Sequence, residues 1–207
     1  MKALVYTRPM NVELRDLDAP QLGDGDVLVR VRACGVCGSD LHGFRGNRSR
    51  RVPPLVLGHE FSGDIGENGN SRRLRTGSQV AIYPLLCCGN CIYCSTGREN
   101  LCPSRRVFRL DLHGGLAEFV AVRENCLFPL APGMSHIEGA LVEPVANALH
   151  ILSRIPNVCG GTGLIYGAGP IGLLSAYIAR EAGAARLVVV DRIRIGCSSL
   201  PISARTS

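Results

Sequence analysis

The chain has 207 residues, 46% of them hydrophobic and 19% charged, a composition that packs a core and excludes an intrinsically disordered protein. That length suits one large domain, or one domain and part of a second. The net charge of +6 rests on Lys2 and 22 arginines, and with no Trp and 5% aromatics the chain is not a nucleic-acid stacking platform.

The amino terminus, MKALVYTRPMNVELRD, has no apolar h-region, so no secretory signal is expected. No apolar run reaches the roughly 18 residues of a membrane helix, and the default compartment is the cytoplasm. In chain order, Lys2 to Tyr6 reads as a strand. Val27 to Ala33 reads as a second, with Val27, Val29 and Val31 alternating against Leu28, Arg30 and Arg32. Arg45, Arg48, Arg50 and Arg51, then Arg72, Arg73 and Arg75, read as solvated loop residues rather than a polyanion site. Val80 to Tyr83 and Leu116 to Val122 look like further strands. Many short strands with Gly-rich turns suggest a barrel or sandwich.

The texture changes near Ser135, where Ser135-x-x-Glu138 is a capping box. Ala140, Leu141, Val145, Ala148, Leu149 and Leu152 follow at helical spacing, and Pro144 should kink or split that helix beside Glu143. From Gly163 the order is strand (Leu164 to Tyr166), Gly-rich turn, helix (Leu173 to Ala182) and strand (Leu187 to Val190), one βαβ unit of a dinucleotide-binding domain. A doubly wound domain has about six strands, so the expectation is an incomplete one. After Arg192 the pattern fails, and 193–207 reads as a divergent, disordered tail that looks like a change of frame in GC-rich coding DNA. The predicted division is 1–150, 151–192 and 193–207.

Ten cysteines are many for a cytosolic chain, and five of them lie between Cys87 and Cys102. Cys88-x2-Cys91-x2-Cys94-x7-Cys102 can close a tetrahedral thiolate shell around a structural zinc. The rival is an iron–sulfur run, which shares the first two gaps and the following proline, Pro103, but has a shorter last gap. Cys87 reads as a bystander able to swap with Cys88. Cys37-Gly38-Ser39-Asp40-Leu41-His42 with Gly58-His59-Glu60 offers Cys, His and carboxylate ligands for a catalytic zinc. Against that stand a Cys34-x2-Cys37 redox pair, whose usual place is a helix start in a βαβ unit, and a hydrogen-bonded core histidine at His59. Gly167-x-Gly169-x-x-Gly172 follows a strand, opens a helix and has Asp191 nineteen residues beyond its last glycine. A pyrophosphate suits the helix start, and an acid on the ribose favours NAD over NADP.

These blocks, CGVCGSDLH at 34–42, GHEFSG at 58–63, the Cys88 to Cys102 lobe, GGLAEFV at 114–120, VEPVANALH at 142–150 and GAGPIG at 167–172, resemble the zinc-containing medium-chain dehydrogenase/reductase family, the alcohol dehydrogenase superfamily. The nearest look is to its sorbitol, galactitol-phosphate and threonine dehydrogenase branch. The resemblance implies a GroES-like β-barrel catalytic domain followed by a Rossmann domain. It implies Cys37, His59, Glu60 and Glu143 as catalytic-zinc ligands, Ser39 taking the substrate proton and His42 passing it towards solvent. It implies a cofactor held by Gly167, Gly169, Pro170, Ile171, Gly172 and Asp191, an alcohol, polyol or sugar-phosphate substrate, and homo-oligomers, with no nucleic-acid or membrane partner. The chain departs from the family pattern at Gly196, where a basic residue often stands, and in lacking the later strands. Two functions follow: a zinc- and NAD-dependent alcohol or polyol dehydrogenase in shortened form, or a non-catalytic zinc-binding remnant. A nucleic-acid-binding zinc protein is a distant third.

Overall fold

The computed structural model describes residues 1–46, 51–66 and 71–192, so the tail expected at 193–207, with Gly196, and the arginines at 48 and 50 lie outside the described residues. Two compact units divide the chain, Met1–Glu143 and Pro144 onward. In the first, β1 (Lys2–Arg8), β2 (Asn11–Asp16) and β3 (Asp26–Gly35) lead to a short helix α1 (Gly38–Phe44). After these come β4 (Leu55–Val56), β5 (Glu60–Ile65), β6 (Gln79–Ile82) and β7 (Leu85–Leu86). The Cys-rich lobe carries α2 (Ile92–Ser95) and returns through β8 (Arg106–Val107). β9 (Phe119–Arg123), β10 (Leu127–Pro129) and α3 (His136–Ala140) complete it.

The main sheet has the order β10-β6-β5-β3-β9 and is antiparallel throughout, and a second sheet has the order β2-β1-β4. The segment at 116–118 joins them: Glu118 N–H donates to Lys2 C=O at 3.0 Å and Val31 N–H donates to Glu118 C=O at 3.0 Å. That junction is why the strand expected from Leu116 begins as β9 only at Phe119. The core follows the alternation read in β3. Val27 and Val29 are fully buried and pack with Phe61, Ile65, Val80, Val120 and Val122. Phe61 meets Phe108 edge-on at 5.8 Å.

A register shift between Val31 and Ala33 sets Gly35 opposite Glu60 and Cys34 opposite Phe61. Such a bulge re-aims the strand end, and it delivers the chain into α1 beside the start of β5. Gly35 is required there, because a Cβ would press on the Glu60 carboxylate.

Ser135 caps α3 as its spacing indicates, its hydroxyl accepting from Glu138 N–H at 3.3 Å. The helix then breaks at Leu141, and α4 (Val142–Ser153) restarts with Pro144 in its first turn, where a missing N–H costs nothing. In the second unit β11 (Thr162–Tyr166), α5 (Pro170–Glu181) and β12 (Arg186–Val190) form a parallel βαβ unit. Parallel sheets are normally covered on both faces, yet Leu164 is 69% and Tyr166 81% exposed. Among the described residues no helix is long and apolar enough to cross a membrane.

Candidate functional site

Cys37 is the N-cap of α1. It does therefore stand at a helix start, as a redox cysteine would, but between antiparallel strands rather than in a βαβ unit. Its sulfur, a His59 ring nitrogen and a Glu60 carboxylate oxygen lie within 4.8 Å of one another. His59 is buried and presents Nδ1 to Asp40 Oδ2 at 3.4 Å, which leaves Nε2 for a metal. Burial alone would lower the His59 pKa, but the Asp40 carboxylate and the Cys37 sulfur beside the ring favour its charged form, outweigh burial and hold it up at about 9. His59 in turn draws the Cys37 thiol below its ordinary value. Cys, His and Glu are a donor set zinc accepts, and three ligands leave an open position.

Ser39 lies in the first turn of α1 with its hydroxyl oxygen buried, beside the Cys37 thiol. His42 is exposed three residues on, one turn along the same face. Glu143 is not brought into the three-residue set; it is half-buried in the first turn of α4, at the joint between the two units.

Two charged neighbours are ones the sequence reading passed over. Asp40 is 2% exposed, and burial would raise its pKa, but His59, Arg109 and Arg51 together hold it below the usual carboxylate value. Arg51, read as a solvated loop residue, is buried, and its Nη2 donates to Asp40 Oδ1 at 3.2 Å. The correction has a simple cause: Arg51 precedes the turn into β4 and points inward at α1, while Arg45, Arg72, Arg73 and Arg75 are exposed. One sequence signal was available for Asp40, its place three residues after an N-cap, where it accepts from Cys37 N–H at 3.2 Å.

Cys88, Cys91, Cys94 and Cys102 form a second set, also within 4.8 Å. Their sulfurs approach at 3.5 Å (Cys91–Cys94), 3.6 Å (Cys88–Cys102) and 3.9 Å (Cys88–Cys94). A tetrahedron with Zn–S of about 2.3 Å has edges of about 3.8 Å, so the four sulfurs fit zinc. The N–H groups of Asn90 and Cys91 pull Cys88 down to about 6, towards the thiolate a metal needs. Cys87 lies outside the set; burial pushes it up to about 11, and its thiol donates to Glu99 C=O at 3.2 Å.

In the second unit Gly167 takes φ 112° and closes the turn from β11, its N–H donating to Val190 C=O at 2.7 Å. Gly169 caps α5 without a side chain, Pro170 and Ile171 open the helix, and a Cβ on Gly169 would meet only open space. The free helix N–H groups and that space suit a pyrophosphate. Gly172 lies against the Gly167 carbonyl so closely that a Cβ would overlap it. Gly172→Ala is expected to cost the second unit about 2 kcal/mol by overpacking; unchanged amide exchange along α5 would contradict this. Asp191 follows β12, and its Oδ2 accepts from Ala168 N–H at 2.7 Å, so the acid is tied to the glycine loop itself.

The chain is 33% identical over 196 residues to sorbitol dehydrogenase of Bacillus subtilis (strain 168), covering 92% of this chain and 56% of that protein. Galactitol-1-phosphate dehydrogenase from Escherichia coli superposes with a TM-score of 0.92 at 30% identity, over 100% of this chain and 61% of that one. A zinc-binding dehydrogenase from Sinorhizobium meliloti 1021, solved bound to NADP, gives 0.91 at 34% identity over 100% and 61%. The chain thus spans little more than half the length of the curated relatives it matches. Residues 23–132, over half of the sequence, match the alcohol dehydrogenase GroES-like domain, and the chain belongs to that family.

Proposed function

We propose that the protein is a zinc-dependent oxidoreductase of the alcohol or polyol dehydrogenase type, with residues 1–150 as the catalytic part and 151–192 as the start of the nucleotide-binding part. The observation that carries this reading is the Cys37–His59–Glu60 set beside the buried Ser39 hydroxyl. Zinc bound there supplies Lewis acidity that lowers the pKa of an alcohol, and a nicotinamide accepts the hydride. Cys37 and His59 hold the metal, Glu143 is proposed as the third ligand, reached from α4, and Glu60 either binds the metal directly or gives way to water at the open position. Ser39 Oγ receives the substrate hydroxyl proton, and His42 hands it to solvent. Gly167, Gly169, Pro170, Ile171 and Gly172 seat the pyrophosphate. Asp191 faces the ribose and favours NAD, since a 2′-phosphate would meet a carboxylate. The NADP bound to the Sinorhizobium relative makes that preference one to measure. The substrate class is a secondary alcohol of a polyol or sugar phosphate, the chemistry named for the sorbitol and galactitol-phosphate relatives. A cytoplasmic setting goes with it.

A second reading, a zinc-binding protein without turnover, keeps the same two ligand sets. Metal content and turnover on one preparation separate the two. We expect two zinc ions per 207-residue chain. Polyol-dependent NADH formation abolished by Cys37→Ser establishes the enzyme. Two zinc ions with no NADH from any polyol selects the second reading, and a single zinc ion, retained in Cys37→Ser, overturns the Cys37 site.

A further inference from the structure

We propose that Arg51 and Arg109 are paired positioning residues for the Cys37–His59–Glu60 site, acting through Asp40; this rests on the zinc reading above. The two oxygens of Asp40 face opposite ways. Oδ2 accepts from Cys37 N–H at 3.2 Å and lies 3.4 Å from His59 Nδ1, so one atom touches two of the three ligand residues. Oδ1 lies 3.2 Å from Arg51 Nη2 and 3.7 Å from Arg109 Nε. All three side chains are withdrawn from solvent, at 3% for Asp40, 1% for Arg51 and 8% for Arg109.

Each arginine is fixed by its own segment. Arg51 Nη1 also donates to the Asp40 carbonyl at 3.1 Å, its guanidinium lies over the Tyr6 ring at 5.9 Å, and it fills the space left by the missing side chain of Gly43. Strand β1, helix α1 and the approach to β4 thus meet on one cation. Arg109 comes from the turn after β8 and takes φ 71°, a left-handed backbone that favours glycine. Its N–H donates to Leu112 C=O at 2.7 Å.

The charges explain why two cations are needed. A lone buried carboxylate beside His59 would add an anion to a pocket that already holds Cys37 and Glu60. Two guanidinium groups against one carboxylate offset that charge. They hold Oδ1 from behind, so that Oδ2 stays 3.4 Å from His59 Nδ1 and the ring presents Nε2 in one orientation. Groups of this kind behind a metal-binding histidine commonly set affinity by 10- to 100-fold.

The test uses the full chain with cobalt(II) in place of zinc, and compares Arg51→Met, Arg51→Lys, Arg109→Gly and Arg109→Lys. Cobalt affinity is read by competition with a coloured chelator and the ligand field from visible absorption. The four-cysteine lobe serves as an internal reference. We expect Arg51→Met and Arg109→Gly to weaken cobalt at the Cys37 site about 10- to 100-fold and shift its visible bands, with the lobe unchanged. Lysine at either position should restore affinity only in part, since it lacks the planar fork. Arg109→Gly suits its backbone, so it carries the test if Arg51→Met fails to fold. Unchanged affinity and bands at the Cys37 site overturn the proposal, as does equal weakening at both sites, which marks a general packing role. If the unsubstituted chain takes up cobalt only in the lobe, with Cys37→Ser losing nothing, the zinc reading itself fails and the proposal goes with it.

Discussion

Cys102→Ser is expected to leave the chain with one zinc ion instead of two and to unfold the lobe between β7 and β8 without unfolding the main sheet. The lobe has little else to hold it. Its strands pair only through Leu85 with Val107 and Leu86 with Arg106, and α2 is four residues long. From Cys87 to Leu101 no residue is buried, whereas Cys102 is fully so. On the proposed assignment the four thiolates and a bound metal would be the lobe's core. In small zinc modules the metal supplies about 10–16 kcal/mol of apparent folding energy, more than such a lobe gains from any other contact. The main sheet keeps its own packing around Val27, Val29, Phe61 and Val122, which the lobe's strands reach through Leu86 and the adjoining Phe108. Limited trypsin digestion reads the difference. New cleavage after Arg98 and Arg105 should appear in Cys102→Ser, and in the parent chain once a chelator is added. Resistance at those sites with the metal removed would show that the lobe stands without zinc.

What could be read from residues alone follows from how local each feature is. The four-cysteine set and the glycine loop are compact in sequence, so spacing alone displays them. β3 was legible because Val27 and Val29 alternate cleanly into the core. β5, the central strand, was not: Glu60, Ser62 and Gly63 interrupt any alternation, and Gly63 is there because β3 passes against it at Arg30. β2 escaped because nearly every residue in it is exposed, which erases the period-two signal. Leu173 was taken as the helix start, yet α5 begins at Pro170, where proline is at home in the first turn. The charged support of the metal site was hidden for another reason. Arg51 sits in a run of arginines and Arg109 in an ordinary turn, and only the fold sets both against Asp40. Long-range ion pairs leave no periodic trace in a sequence.

The same buried charges predict how the metal-free chain responds to pH. His59 is held at about 9, above its ordinary 6.5, so its proton is bound more tightly in the folded chain than in the unfolded one. Its stabilisation is therefore complete below pH 6.5 and is lost as pH rises through about 9. The size is on the order of 3 kcal/mol; Cys37, drawn below its usual 9.0 by the same contact, has the opposite sign, its contribution growing as pH rises towards 9, and it offsets part of the His59 loss. Asp40, held below 3.8, has the opposite sign: its contribution is present above that value and lost in stronger acid. With chelator present, the melting temperature should then fall between pH 6.5 and 9 by less than the roughly 6–12 °C that His59 alone would give at about 2–4 °C per kcal/mol for a chain of this size. Zinc competes with the ring proton for Nε2, so its stabilising increment grows over the same interval and the loaded and chelated curves diverge as pH rises. Chelator empties both metal sets, and lobe thiols titrate in this range too, so the variant that isolates the effect is His59→Gln under the same chelator. Glutamine keeps a polar neighbour for Asp40 but carries no proton to lose, and its melting curve should be flatter by about the His59 share. If His59→Gln falls as steeply as the parent chain, the slope belongs to the lobe, and the Asp40–His59–Cys37 contact does not stabilise the fold.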